Sequence, residues 1–264
     1  MSKLLDMFAQ ARRAQSSSGM GFLGKNRPET KPRAAALVVE LASADSLVAA
    51  DAEAAIKAGA DGLLFTWNGK DVSWLDTLKS TVEAAQASNE KAVFGLHITG
   101  GWQTLGRENL EHIKEQGIAF IVLPLKAPAS FLALHVKDLD LVVTVPMREG
   151  DLYPLFIRNL TAFNTIAAVQ LDFGLSKDVS KLTIEDVLQY RAVREAVRYP
   201  AFLNVNANIS EADAYTLTTL GVQAVVLFTN QIDDTASQQI KDVRELLEKV
   251  HQEEKDNKPT SIKP

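Results

Sequence analysis

Cysteine is absent from this chain of 264 residues. That excludes disulfides, a thiolate nucleophile and any metal site built on sulfur. A surplus of positive charge is absent too: 28 lysines and arginines face 33 aspartates and glutamates, for a net charge of −5. Nucleic acid wants a basic face and is therefore not an expected partner. No apolar run approaches the 18 or so residues that span a bilayer, so no membrane partner is expected either. The first stretch, MSKLLDMFAQARRAQSSS, holds two arginines and several serines, but it also carries Asp6 and lacks an apolar segment followed by a cleavage site. These absences together give the expectation of a cytoplasmic protein. A small molecule and a second copy of the chain are the partners left open.

What the chain does have is a repeated pattern. Short apolar runs at 36–41, 62–66, 92–97, 118–123, 139–145, 166–172, 201–205 and 224–228 read as buried strands. Between them lie helical patterns, among them 46–57, 72–87, 108–116, 129–136, 153–162 and 184–197, with 236–250 after the last strand. Three joints are nearly alike: AGADGLLF, QGIAFIVL and LGVQAVVLF. In each, a glycine suits the left-handed residue that ends a helix, and aliphatic residues then enter the sheet. Apolar strands alternating with helices call for a parallel sheet covered on both faces. Eight units at this chain length predict a closed eight-stranded parallel (β/α)8 TIM barrel, an α/β fold of about 250 residues. An open doubly wound sheet is the competing architecture, but no G-x-G-x-x-G turn follows the first strand. Residues 1–33 read as an N-terminal helical extension and connector, with Leu4, Leu5, Phe8 and Ala11 on one helical face docked on the barrel. Residues 34–251 form the barrel, and the polar stretch 252–264 is an expected disordered tail.

In such a barrel the chemistry sits at the carboxyl ends of the strands, and strand parity picks out the inward positions there. Asn204 and Asn206 share a face with Phe202; buried under helices their amides would go unsatisfied, so they are expected inward. By the same logic Gln170 and Asp172 on the sixth strand, Glu40 on the first and His97 on the third point inward. Thr66, Thr144 and Thr229 are the matching terminal positions on the second, fifth and eighth strands. Lys126, just past the fourth strand, can reach over the mouth. Two carboxylates and an imidazole at one end would serve as acid, base or metal ligands, making Glu40, His97, Asp172 and Lys126 the catalytic candidates. The alternative is a structural one, with Glu40 and Asp172 simply paired to Lys126 or Arg148. No lysine lies within a strand, so a strand-borne Schiff base has no candidate. Trp102 reads either as a lid over a ligand or as a surface turn, and the connection DFGLSKDVSKLT as a mobile lid.

The segment 199–231 resembles the phosphate-binding end of aldolase-type barrels, including the ribulose-phosphate-binding and FMN-binding groups. In those, glycine-rich turns after the seventh and eighth strands offer backbone amides to a phosphate. Here the turns read Asn206-Ala207-Asn208-Ile209 and Phe228-Thr229-Asn230-Gln231, without the glycines. The resemblance implies a ligand site that includes Asn204, Asn206, Asn208, Thr229 and Asn230 beside Thr66 and Gln170. Three readings of function stand open. One is a lyase or isomerase acting on a small phosphorylated or carboxylated metabolite. The second is a non-catalytic or scaffold barrel that has lost its phosphate site. The third is an FMN-dependent oxidoreductase. No sequence-local spacing assigns a metal or any other cofactor.

Overall fold

The computed structural model describes residues 2–12, 31–42, 49–71, 73–148, 150, 152–172, 179, 182–205 and 209–256. Its strands are β1 (Ala36–Leu41), β2 (Gly62–Trp67), β3 (Val93–Ile98), β4 (Phe120–Pro124), β5 (Asp140–Pro146), β6 (Ile166–Asp172), β7 (Ala201–Val205) and β8 (Ala224–Thr229). They pair in chain order, each parallel to the next, and β8 closes on β1 with Ala36 opposite Ala224 and Leu41 opposite Thr229. The fold is the closed (β/α)8 barrel that the repeated units predict. The crossovers use α2 (Ala49–Ala58), α3 (Ser73–Ser88), α4 (Arg107–Glu115), α5 (Tyr153–Ile157), α6 (Ile184–Val197) and α7 (Glu211–Leu220). The β4–β5 crossover is a 3-10 helix, Ala129–Leu132, shorter than the helix expected over 129–136. The last helix, α8 (Asp234–Asp256), runs past the expected barrel boundary, so residues 252–256 are helical. The rest of the tail and the connector at 13–30 lie outside the described residues. Among the described residues no helix is long and apolar enough to cross a membrane.

Local chemistry accounts for the joints. Gly59, Gly117 and Gly221, the glycines of the three similar segments, end their helices at φ of 116°, 91° and 73°. Such angles are unfavourable for residues with a Cβ. Ser210 opens α7 as a capping box, its backbone N–H donating to Asp213 Oδ2 at 2.7 Å and its hydroxyl accepting from the Asp213 N–H at 3.3 Å.

Alternate strand residues face opposite sides of the sheet. Leu37, Val39, Leu63, Phe65 and Trp67 pack under the helices. The other row, including Val38, Leu64, Phe120, Val142, Phe202 and Val226, fills the lumen. A Cβ at Gly95 would sit 2.2 Å from the Phe120 ring, so glycine on β3 is what lets that ring cross the lumen. Phe120 in turn stacks on Phe202, 5.6 Å between centroids.

The N-terminal helix α1 (Lys3–Ala11) does more than dock on the outside. Leu4, Met7, Phe8 and Ala11, spaced i, i+3, i+4 and i+7, join the lumen cluster rather than the one under the helices. Phe8 meets Phe202 edge-on at 5.1 Å. A Cβ at Gly62, the first residue of β2, would come within 3.2 Å of Met7 Sδ, which puts the helix at the amino-terminal end of the strands. There α1 is a plug. Beside it Asp61 accepts from the Arg33 guanidinium and, at 2.8 Å, from the Leu37 N–H. Arg33 is buried, and burial holds its guanidinium below its ordinary pKa.

Candidate active site

Glu40 follows Ala36 and Val38 on the lumen-facing row of β1 and is only 5% exposed. A buried carboxylate is expensive unless hydrogen bonds satisfy it. Glu40 Oε1 meets both requirements at once: it accepts from Thr66 Oγ1 at 3.1 Å and lies 2.7 Å from His97 Nδ1. Thr66 and His97 are directly paired across β2 and β3. Three adjacent strands thus bring a carboxylate, a hydroxyl and an imidazole to one point. Because a carboxylate only accepts, Nδ1 is the protonated nitrogen, and Nε2 is left for whatever enters the mouth. The imidazole is 23% exposed, so that nitrogen is reachable.

The wall on β5, β6 and β7 is built from neutral groups. Gln170 Nε2 donates to Asn204 Oδ1 at 2.7 Å. Gln170 is 2% exposed, yet its Oε1 has no hydrogen-bond partner among the described residues. Neither has Thr144 Oγ1, on the residue paired with Gln170 across β5 and β6. Unsatisfied buried polar atoms are uncommon in native structures, because each forfeits its hydration. Here two sit side by side. Asp172 continues the same row and is exposed at the rim, its carbonyl accepting from the Met147 N–H at 2.8 Å.

The remaining candidates fall elsewhere. Lys126 is exposed and leans over the Trp102 ring, 5.5 Å from its centroid. Arg148 stands over Tyr153 at 5.8 Å. Glu40 therefore takes a hydroxyl and an imidazole as partners where the sequence offered a cation. Trp102 is tied down, its Nε1 donating to the Ile98 carbonyl at 2.8 Å. Thr229 is corrected: it belongs to the outward row with Val225 and Leu227, pairs with Leu41, and turns its hydroxyl to the Gln231 carbonyl at 2.8 Å. The inward position on that strand is Phe228, directly opposite Glu40 in register and 59% exposed. Parity counted from Val226 places it inward, although its side chain carries no polar signal. Asn230 is exposed just past β8. Asn206 and Asn208, and most of the 172–183 connection, lie outside the described residues. Among the described residues no cluster of three or more histidines, aspartates or glutamates is arranged to hold a metal ion.

No family model and no curated protein matches the chain. Solved structures do. A thiamine phosphate pyrophosphorylase from Pyrococcus furiosus superposes with a TM-score of 0.59 at 11% identity, over 83% of this chain and 98% of the other. An HpcH/HpaI aldolase from Desulfitobacterium hafniense gives 0.52 at 14%, covering 87% and 95%. A 3-dehydroquinate dehydratase from Geobacillus kaustophilus gives 0.51 at 14%, covering 80% and 91%. At such identities the likeness establishes the (β/α)8 fold and leaves the reaction to the residues.

Proposed function

We propose that the protein is a lyase or isomerase that moves a proton on a small carboxylated or phosphorylated metabolite held at the carboxyl end of the barrel. His97 is the acid–base group and Glu40 the residue that positions it. The observation that carries this reading is the 2.7 Å contact of His97 Nδ1 with a buried carboxylate. With Nδ1–H given to Glu40, the Nε2 lone pair takes a proton from a substrate carbon next to a carbonyl. The imidazolium that forms lies against the Glu40 charge. Nε2–H then returns the proton to a leaving oxygen in a lyase, or to the neighbouring carbon in an isomerase. Thr66 holds Glu40 in place. Gln170 Oε1 and Thr144 Oγ1 offer unclaimed hydrogen-bonding capacity for substrate hydroxyls, and Asn204 aligns Gln170. Asp172, Lys126 and Asn230 stand at the rim as ligand contacts, and Asn206 and Asn208 join them as ligand-binding residues. The aldolase and the dehydratase among the similar structures agree with a lyase-type reaction. A scaffold barrel would be favoured by carboxylates neutralised by cations, and Glu40 meets a titratable imidazole instead. A flavin enzyme would purify with visible colour.

The test needs no prior substrate. Candidate hydroxy acids, keto acids and sugar phosphates are incubated with the protein in deuterated water, and carbon-bound hydrogen exchange is followed by NMR. Wild type should exchange one position next to a carbonyl. His97→Gln should lose about 10²–10⁴-fold in rate, with Glu40→Gln intermediate and both variants still folded. Ligands that raise the melting temperature yet never exchange, with wild type and His97→Gln alike, would sink the acid–base role.

A further inference from the structure

Seven large apolar side chains are exposed among the described residues, and five of them lie on or at the start of two neighbouring helices: Leu152, Leu155, Phe156, Ile184 and Leu188. Leu152, Leu155 and Phe156 are spaced i, i+3 and i+4 along α5; Ile184 and Leu188 are one turn apart on α6. Each helix therefore turns a second apolar face to solvent. The inward face of α6 is already occupied, since Val193 and Val197 are buried in the core. The two helices pack side by side, so their outward faces form one patch. Ile184 is 82% exposed and Leu188 65%. Contiguous apolar surface of this kind on a single domain marks an interaction site.

We propose that this face of α5 and α6 is a homodimer interface, covered by the same face of a second copy. The argument for a second copy is its charged rim. Arg158 follows the end of α5, and Glu185 lies in the first turn of α6. Both are exposed, and neither side chain has an ion-pair or hydrogen-bond partner among the described residues. Both helices run from the mouth toward the amino-terminal end of the barrel, so Glu185 marks the mouth end of the patch and Arg158 the opposite end. A two-fold axis across the helices reverses that direction. It sets Glu185 of each copy against Arg158 of the other, and one self-complementary contact pairs the charges twice. Arg191, the next cation along α6, is already tied to Glu195 at 2.9 Å. The rim is mixed in sign, unlike the polybasic edge that a lipid surface selects.

Light scattering on the eluting full chain, run across a concentration series, tests this. Wild type should have twice the chain mass at the upper concentrations. Phe156→Asp and Leu188→Asp should each raise the dissociation constant at least about tenfold, with unchanged circular dichroism. Arg158→Glu and Glu185→Arg should each weaken the dimer less, and the double charge swap should restore it. Should Phe156→Asp fail to fold, Leu188→Asp and the charge swaps decide. A monomer at every concentration would assign the patch to another partner and overturn the proposal. A dimer indifferent to all of these substitutions would overturn it as well.

Discussion

At the amino-terminal end of the lumen, Leu4, Met7, Phe8 and Ala11 of α1 close over Phe120 and Phe202. At the carboxyl-terminal end the same inward rows finish on Glu40, His97, Gln170 and Asn204. One end is sealed by hydrocarbon and the other lined by hydrogen-bonding groups, two of them with buried atoms left unsatisfied among the described residues. The strands are common to both ends, so the difference lies in what each row is asked to bury. Closing the bottom removes apolar surface from water, worth roughly 25 cal/mol per Å², and leaves the mouth free to carry groups that stabilise nothing by themselves. The bottom also holds polar groups: Arg33 and Asp61 are paired, and Asp61 also takes the Leu37 N–H, while Arg33 Nε and Asp140 Oδ2 are buried without a partner among the described residues.

The largest effect should come from opening the plug. Phe8→Ala removes a buried ring from the lumen, and such truncations cost about 3–5 kcal/mol. Asn204→Ala, at the other end, should cost about 1–2 kcal/mol, because the buried Gln170 Nε2 loses its acceptor. Urea denaturation of the two variants measures the contrast directly. Equal losses would mean that α1 is a surface helix and the two ends are not distinct.

The buried ion pair gives a second, smaller contrast. Asp61→Asn leaves Arg33 charged and buried without its carboxylate, which costs about 3 kcal/mol, taken at the low end for a partly exposed acid. Glutamine at position 40 should stay within about 1 kcal/mol of wild type, since Thr66 and His97 still find an acceptor there. If Glu40→Gln is the more damaging change, the mouth carboxylate is structural and the functional reading loses the residue that positions its base.

The sequence carries the barrel because its signals are local. Apolar runs, caps and the joints at Gly59, Gly117 and Gly221 each follow from a few adjacent residues. Parity then places Glu40, His97, Gln170 and Asn204 on inward rows. Three things escape it. The α1 stripe of Leu4, Phe8 and Ala11 says that the helix is buried on one side, and nothing in that spacing distinguishes the outer wall from the open end of the lumen. Phe228 is hidden as well, because a phenylalanine at a strand end resembles core while the adjacent Thr229 looks like a polar mouth residue. Which neighbour satisfies Glu40 is likewise a matter of register between β1, β2 and β3, settled by barrel closure and invisible along any one strand.

The smallest effect separates the two ends by pH. Asp140 opens β5 opposite Phe120, on the lumen row at the plugged end. Burial is the main influence raising its carboxyl above the ordinary range; the Ser2 hydroxyl opposes this and Asp138 adds to it. Its Oδ2 is buried and has no partner among the described residues. With the folded pKa above the unfolded one, the folded chain holds this proton more tightly. Its contribution to stability is therefore fully present below the unfolded value near 4, and is lost as pH rises through the raised folded value. Asp140→Asn keeps an oxygen for Ser2 and abolishes the ionisation. The variant should be more stable than wild type at pH 7, and the gain should vanish at pH 3 to 4, where the wild-type carboxyl is already protonated. Paired urea titrations at the two pH values read this out. A gain of the same size at both would show that the benefit is steric and that the plugged end holds no strained charge.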